Sequence, residues 1–337
     1  MTPFSSSAQP IPDSASNSQI EYINMHPPRQ DVVSEVLAGL RTAQKTLSPK
    51  YFYDERGSQL FEAITQQPEY YPTRTERKIL ADHAAEIATS LRMHAGEDIT
   101  LIEPGCGSCE KVKLLLNDIL PSRYVGMDIS DQFLLGATEN LSQAHPKLDI
   151  TAVCADFSQL DELANHLPPG HRVVFYPGST LGNFTPAAAQ TFLSSVRTLV
   201  GDNGGMLIGV DRHKDSATLD AAYNDKCGVT ADFNLNALRH LNRVLPANFD
   251  TDLFRHQAHY NADEQRIEMH LRCSQSHTVT CAGQEIHFVE GESIHSENSY
   301  KYTRERFTSL AKRAGFAIQQ SWQDKDALFA VYYCAAI

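Results

Sequence analysis

The sequence predicts an α/β fold: a mostly parallel, nucleotide-binding sheet flanked by helices, joined to a smaller α+β domain. Three observations carry that expectation. Residues 99–102, I-T-L-I, are apolar or β-branched and suit a short buried strand. Gly105 and Gly107 follow, where the backbone can turn sharply and admit a ligand. After them Val112, Leu115, Leu116 and Ile119 recur at helical spacing, with Glu110, Lys111 and Lys113 on other faces. Strand, glycine turn and helix open a βαβ unit that holds its ligand at the carboxyl end of the strand.

Taken in order, residues 1–30 are rich in Ser, Pro, Gln and Asn with little periodicity, which predicts a mobile N-terminal arm. Val33, Val36, Leu37 and Leu40 make one apolar face of a helix over 31–45. Residues 47–80 crowd four tyrosines and two phenylalanines into a polar, Pro-bounded segment. A surface helix with aromatic anchors and a lid over a small-molecule pocket fit that composition equally. From about residue 74 the pattern alternates as in an α/β domain. A helix at 74–93 precedes the glycine strand; strands follow near 123–128, 149–154, 172–177 and 205–210, with helices at 130–145, 157–166 and 186–200. The loop P-G-S-T-L-G-N, 177–183, closes the fourth strand, so Asn183 either reaches a substrate or stabilises the turn through its own backbone.

Beyond Asp211 the rhythm breaks. Residues 214–247 read as mainly helical and 252–294 as antiparallel strands, an inserted block. A helix over 301–316 closes at Gly315, and two strand-like runs over 317–334 complete the sheet, one of them antiparallel. The expected division is therefore an arm at 1–30, a substrate-binding domain from 31–73 plus 212–300, and a ligand-binding domain from 74–211 plus 301–337.

The chain has 337 residues, 42% hydrophobic and 21% charged, which describes a globular protein with room for about two cores. A net charge of −12 without any long Lys/Arg run argues against nucleic acid or an anionic membrane as partner. No apolar stretch approaches the roughly 20 residues that span a bilayer, and the first residues lack signal-peptide order, so a cytoplasmic location is expected. Seven scattered cysteines suit reduced thiols. Cys106 and Cys109 form a C-x-x-C inside the glycine turn, a spacing used by redox and zinc motifs. No second C-x-x-C follows, and both read as small residues packed in the ligand loop, with no metal expected.

The third glycine of the dinucleotide fingerprint is replaced by Glu110. The acidic residue before G-x-G points instead to the S-adenosylmethionine loop of Rossmann-like class I methyltransferases. Asp128 ends a second apolar run, Tyr124 to Met127, where a ribose hydroxyl partner belongs.

Several longer blocks then converge. K-Y-F-Y-D-E-R-G-S-Q-L-F-E-A-I-T, P-E-Y-Y-P-T-R-T-E, E-P-G-C-G-S-C-E-K, V-C-A-D-F, G-S-T-L-G-N, Y-N-D-K-C-G-V-T-A-D-F-N, R-I-E-M and S-E-N-S closely resemble the histidine-specific Nα-methyltransferases of the ergothioneine pathway. The resemblance runs from about residue 35 to the C-terminus. It implies three successive methylations of the α-amine of L-histidine, giving the betaine hercynine. It places cofactor contacts at Tyr70, Gly105, Lys111, Asp128, Asp156 and Phe157. It places histidine contacts at Tyr53, Asn183, Tyr223, Met269, Glu297 and Ser299, with Tyr53 and Asn183 nearest the reacting amine. Glu297 and Ser299 are suited to the two imidazole nitrogens, and Met269 is a soft packing wall. The glycine loop departs from the family's E-L-G-S-G-T-S-E-K, and Asn298 and Tyr300 stand where a small apolar residue and Cys are common. A monomer acting on free L-histidine is expected. The alternatives are a relative that methylates another amino acid such as tryptophan, a non-catalytic cofactor-binding module, and a redox protein using Cys106 and Cys109.

Overall fold

An eight-stranded mixed sheet and a separate four-stranded sheet organise the chain, whose structure, a computed structural model, describes residues 20–25 and 29–337. The first part runs β1 (Glu21–Asn24), α1 (Arg29–Leu40), β2 (Lys45–Thr46), α2 (Glu55–Thr65), α3 (Tyr71–Asp82) and α4 (Ala84–Ala95). The βα alternation follows: β3 (Ile99–Pro104), α5 (Lys113–Ile119), β4 (Arg123–Asp128), α6 (Asp131–Ala144), β5 (Asp149–Cys154), α7 (Leu160–Leu163), β6 (His171–Tyr176), α8 (Pro186–Val200) and β7 (Gly205–Asp211). Next come α9 (Ser216–Tyr223), α10 (Val229–Val244), β8 (Phe254–Asn261), β9 (Arg266–Cys273), β10 (His277–Cys281), β11 (Gln284–Phe288) and β12 (Ser293–Tyr300). The chain ends with α11 (Arg304–Arg313), β13 (Phe316–Gln323) and β14 (Phe329–Ala336).

The large sheet has the order β1-β5-β4-β3-β6-β7-β14-β13. All neighbours are parallel except β14, which runs antiparallel to both β7 and β13. Every residue of β3 is buried, as a central strand covered on both faces requires. One face packs Ile102, Val125, Val174 and Ile208 under α8 and α11; the other packs Leu101, Tyr124, Phe175 and Leu207 under α4 and α5. The small sheet has the order β2-β12-β9-β8 and shares a core of Leu238, Leu241, Phe254, Leu271 and Ile294 with α1 and α10.

Four expectations shift. The arm expected over 1–30 lies outside the described residues as far as residue 19, but Glu21–Asn24 is a strand. It pairs in parallel with β5, from Glu21 opposite Thr151 to Asn24 opposite Cys154, and so covers the bare edge of the large sheet. The helix expected over 31–45 stops at Leu40. Gly39 lies so close to the returning chain that a Cβ there would meet Thr46 O at 2.5 Å, and the backbone folds back into β2. The helix expected at 74–93 is two, divided at His83, whose φ of −119° leaves the helical region. The helix expected over 157–166 shrinks to a 3-10 turn and the four residues of α7.

Candidate functional site

The glycine loop turns as expected: Gly105 and Gly107 adopt φ of +71° and +53°. An added Cβ at Gly105 would meet Phe157 Cζ at 3.0 Å, whereas one at Gly107 would meet nothing within 4 Å. The loop therefore has one side closed by an aromatic ring and one side open, which suits a ligand lying along it. Asp128 leaves the neighbouring strand and accepts from Gly107 N and Ser130 N, each at 3.0 Å. Burial pushes its carboxyl above the ordinary range, against those backbone donors. Asp156 and Phe157 follow β5, so Gly105, Asp128, Asp156 and Phe157 line the carboxyl ends of three adjacent strands. Asp156 lies 3.6 Å from Lys50, and the Phe157 ring packs edge-on against Tyr176, Phe184 and Phe192. Lys111 pairs at 2.7 Å with Glu76, whose carboxylate also accepts from Gly178 N. That pairing ties the glycine loop to the loop bearing Asn183. Cys106 and Cys109 are free thiols, both buried in the turn.

A cleft with about 590 Å³ of empty space, its mouth included, opens beside this edge. Tyr53, Tyr70, Asn183, Tyr223, Met269, Glu297 and Ser299 all line it. Of the residues expected at the cofactor, only Tyr70 reaches this cleft, its ring edge-on to Phe61 and Tyr223. Tyr53 is fixed by the start of α2: Asp54 Oδ1 accepts from Gly57 N at 2.7 Å and from Asn236 Nδ2 at 2.8 Å, and Arg243 pairs with Oδ2. The Tyr53 ring sits edge-on to Phe61 and Phe233, two further lining residues. Asn183 ends a 3-10 turn, Thr180–Asn183, pressed against β12. A Cβ on Gly182 would meet Tyr300 O at 2.8 Å and Ser299 Oγ at 3.5 Å.

The direction in which Glu297 and Ser299 point depends on one irregularity. The pairing of β12 with β9 shifts between His295, opposite His270, and Glu297, opposite Met269. Ser296 is the extra residue, and its Oγ donates to Asn234 Oδ1 at 2.7 Å inside the core. After the shift Glu297, Ser299 and Lys301 face the cleft. Asn298 and Tyr300 take the other face, where Arg266 donates to Tyr300 OH, so neither substituted position enters the pocket. Glu297 is 9% exposed, and no donor among the described residues reaches its carboxylate. Burial pushes it up to about 8, with Lys301 pulling the other way.

Beneath Ser299 lies a polar cluster that pattern reading missed. Lys301, with no exposed surface, bonds Asp211 Oδ2 at 2.8 Å and Ser299 Oγ at 2.8 Å. Asp211 Oδ1 accepts from Lys214 at 2.6 Å, and Tyr71 OH lies 2.8 Å from both carboxylate oxygens. Burial alone would raise the Asp211 carboxyl, but Lys301 and Lys214 outweigh it and hold it below the ordinary range. Burial pulls Lys214 down to about 8 despite Asp211. The signal available in the sequence was the alternation Glu297, Ser299, Lys301, which continues one strand face.

The sequence matches the family described as histidine-specific, SAM-dependent methyltransferases over residues 32–336. The histidine N-alpha-methyltransferase of Mycolicibacterium smegmatis is 41% identical over 296 residues, 86% of this chain and 90% of the relative. That of Mycobacterium tuberculosis is 36% identical over 308 residues, 89% of this chain and 94% of the relative. Ergothioneine biosynthesis protein 1 of Neurospora crassa is 32% identical over 280 residues, 80% of this chain but 31% of that longer protein. The chain belongs to the histidine-specific, SAM-dependent methyltransferase family.

Proposed function

We propose that this protein methylates the α-amine of L-histidine three times, to hercynine, and that the cleft lined by Glu297 and Ser299 is where it does so. One observation carries the reading. A buried carboxyl with no donor among the described residues and a hydroxyl two residues along sit on one strand face. That spacing, roughly 6.7 Å along a strand, suits two groups bonding the two nitrogens of one imidazole. Tyr53, Asn183 and Tyr223 would hold the amino and carboxyl groups, with Met269 against the ring. Gly105, Lys111, Asp128, Asp156, Phe157 and Tyr70 would hold S-adenosylmethionine, which supplies an electrophilic sulfonium methyl. The open side of Gly107 and the half-covered Asp128 support that fit.

The residues contribute mainly orientation and exclusion of water. Burial, then the charge of Glu297, keeps the Tyr53 phenol protonated, so Tyr53 positions the amine and water takes the proton. Gly178, Ser179 and Thr180 beside Asn183 are small enough to leave room for a growing methyl count. We further assign substrate binding chiefly to 31–73 and 212–300, and cofactor binding to 74–211 and 301–337. All twelve candidate residues come from one chain, which supports a monomer, and the odd, scattered cysteines support a cytoplasmic setting.

The test is calorimetric titration of L-histidine with S-adenosylhomocysteine present, with tryptophan and N,N-dimethylhistidine for comparison, repeated on Glu297→Ala. Loss of a hydrogen bond to a charged group predicts a roughly 10- to 150-fold weaker histidine affinity in the variant. No histidine binding, or binding indifferent to Glu297, refutes the substrate assignment.

A further inference from the structure

We propose that Lys301 sets the hydrogen-bond polarity of the pocket, so that histidine is taken with a neutral imidazole, its N–H on Glu297 and its bare nitrogen on Ser299. The inference rests on the histidine reading above and deepens it. An ammonium has three hydrogens and nothing to accept with. Lys301 Nζ has three partners: Asp211 Oδ2 at 2.8 Å, Ser299 Oγ at 2.8 Å and Tyr223 OH at 3.2 Å. Each hydroxyl therefore already accepts one hydrogen bond from below. The two hydroxyls lie 2.7 Å apart, with Tyr223 donating to Ser299. Of their two protons one is used between them, and the other, on Ser299, is left facing the cleft. The floor of the pocket is a donor.

Glu297 at the other end of the strand face, which burial keeps protonated in the empty cleft, is acceptor-only once ionised, the form that a ring N–H bonded to it favours. One acceptor and one donor complement a ring with one N–H and one bare nitrogen. An imidazolium has two N–H groups and meets a donor at Ser299; an indole has no second ring nitrogen and leaves that donor unpaired. The charged and titratable groups around this arrangement agree. Asp211, Lys214 and Tyr71 lie beneath Lys301, while Glu297, Tyr53, Tyr70 and Tyr223 surround the cleft. Lys301 is thus a positioning residue that acts through Ser299, and its positive charge also opposes entry of a cationic ring.

Ring-¹⁵N-labelled histidine, bound to the protein with S-adenosylhomocysteine, tests this by nitrogen NMR between about pH 6 and 8, either side of the ordinary imidazole pKa. The wild-type complex is expected to show one protonated and one bare nitrogen throughout. In Lys301→Met the hydroxyls regain acceptor capacity, so both nitrogens become protonated near pH 6 and affinity near pH 8 falls roughly tenfold. Weaker binding with an unchanged nitrogen pattern overturns the proposal, because a purely structural lysine would do that. Two protonated nitrogens in the wild-type complex overturn it as well, and that measurement stands if Lys301→Met fails to fold. Absence of histidine binding to the wild type refutes the substrate assignment instead, a separate outcome.

Discussion

Replacing Glu297 with Gln should stabilise the ligand-free protein, and the gain should depend on pH in a defined way. Glu297 is buried, and its carboxyl titrates at about 8 instead of the ordinary 4.5. A carboxyl raised on folding contributes stability that is complete below about pH 4.5 and is lost as pH rises through about 8. At about 1.36 kcal/mol per pH unit, keeping it protonated in the fold while the unfolded chain ionises costs roughly 3 kcal/mol by pH 7, and the loss levels off at roughly 5 kcal/mol above pH 8. Gln keeps the shape and never ionises. Urea denaturation of wild type and Glu297→Gln, without ligand, should therefore coincide near pH 4.5 and diverge towards alkaline pH. The variant should be the more stable by about 3 kcal/mol at pH 7, at unchanged m. All other titrating groups are common to both proteins, so the difference isolates this one. A difference that stays flat with pH, or a wild type more stable at pH 8.5, would refute the picture of a desolvated carboxylate waiting for a donor.

Other perturbations probe the surroundings. Gly105→Ala places a Cβ at φ +71° and 3.0 Å from Phe157, so stability should fall by about 1 kcal/mol and S-adenosylhomocysteine affinity by at least tenfold in calorimetry. Asp211→Asn leaves Lys301 and Lys214 buried without their counter-charge and should cost about 3–5 kcal/mol in thermal or chemical unfolding at neutral pH. Gly182→Ala drives a methyl group against Tyr300 O at 2.8 Å, which should lower stability by about 1–3 kcal/mol. It should also raise KM for histidine more than it lowers kcat, because Asn183 and Ser299 are forced apart.

The sequence was most legible where local rules and tertiary structure agree. β3, the two glycines and α5 form one continuous stretch whose pattern, turn chemistry and burial all point the same way. The break in rhythm after Asp211 likewise marked the inserted strands, because their alternation is local. What escaped depends on distant partners. Nothing within E-Y-I-N announces that β5, more than a hundred residues later, will offer a free edge. The two helices either side of His83 both pack against β14, and α7 packs against α8, partners that lie far along the chain. Lys301 reads as an ordinary surface residue until Asp211 and Lys214, from another part of the chain, are placed beside it. The extra residue at Ser296 is invisible too, because Asn234 on α10 accommodates it from across the core.

That extra residue has a consequence for how the specificity of such a chain can change. Strand side chains alternate, so a shift of one position exchanges the two faces. Between His295 and the end of β12, the identity of the groups that meet a substrate is thus governed by a count as well as by composition. Deleting Ser296 would only straighten the strand and leave Glu297 opposite Met269, whereas one further inserted residue that the pairing did not absorb would turn Asn298 and Tyr300 inward and Glu297 and Ser299 outward while altering no other codon. Substitution can only tune this pocket; a single inserted codon that the pairing does not absorb can replace it.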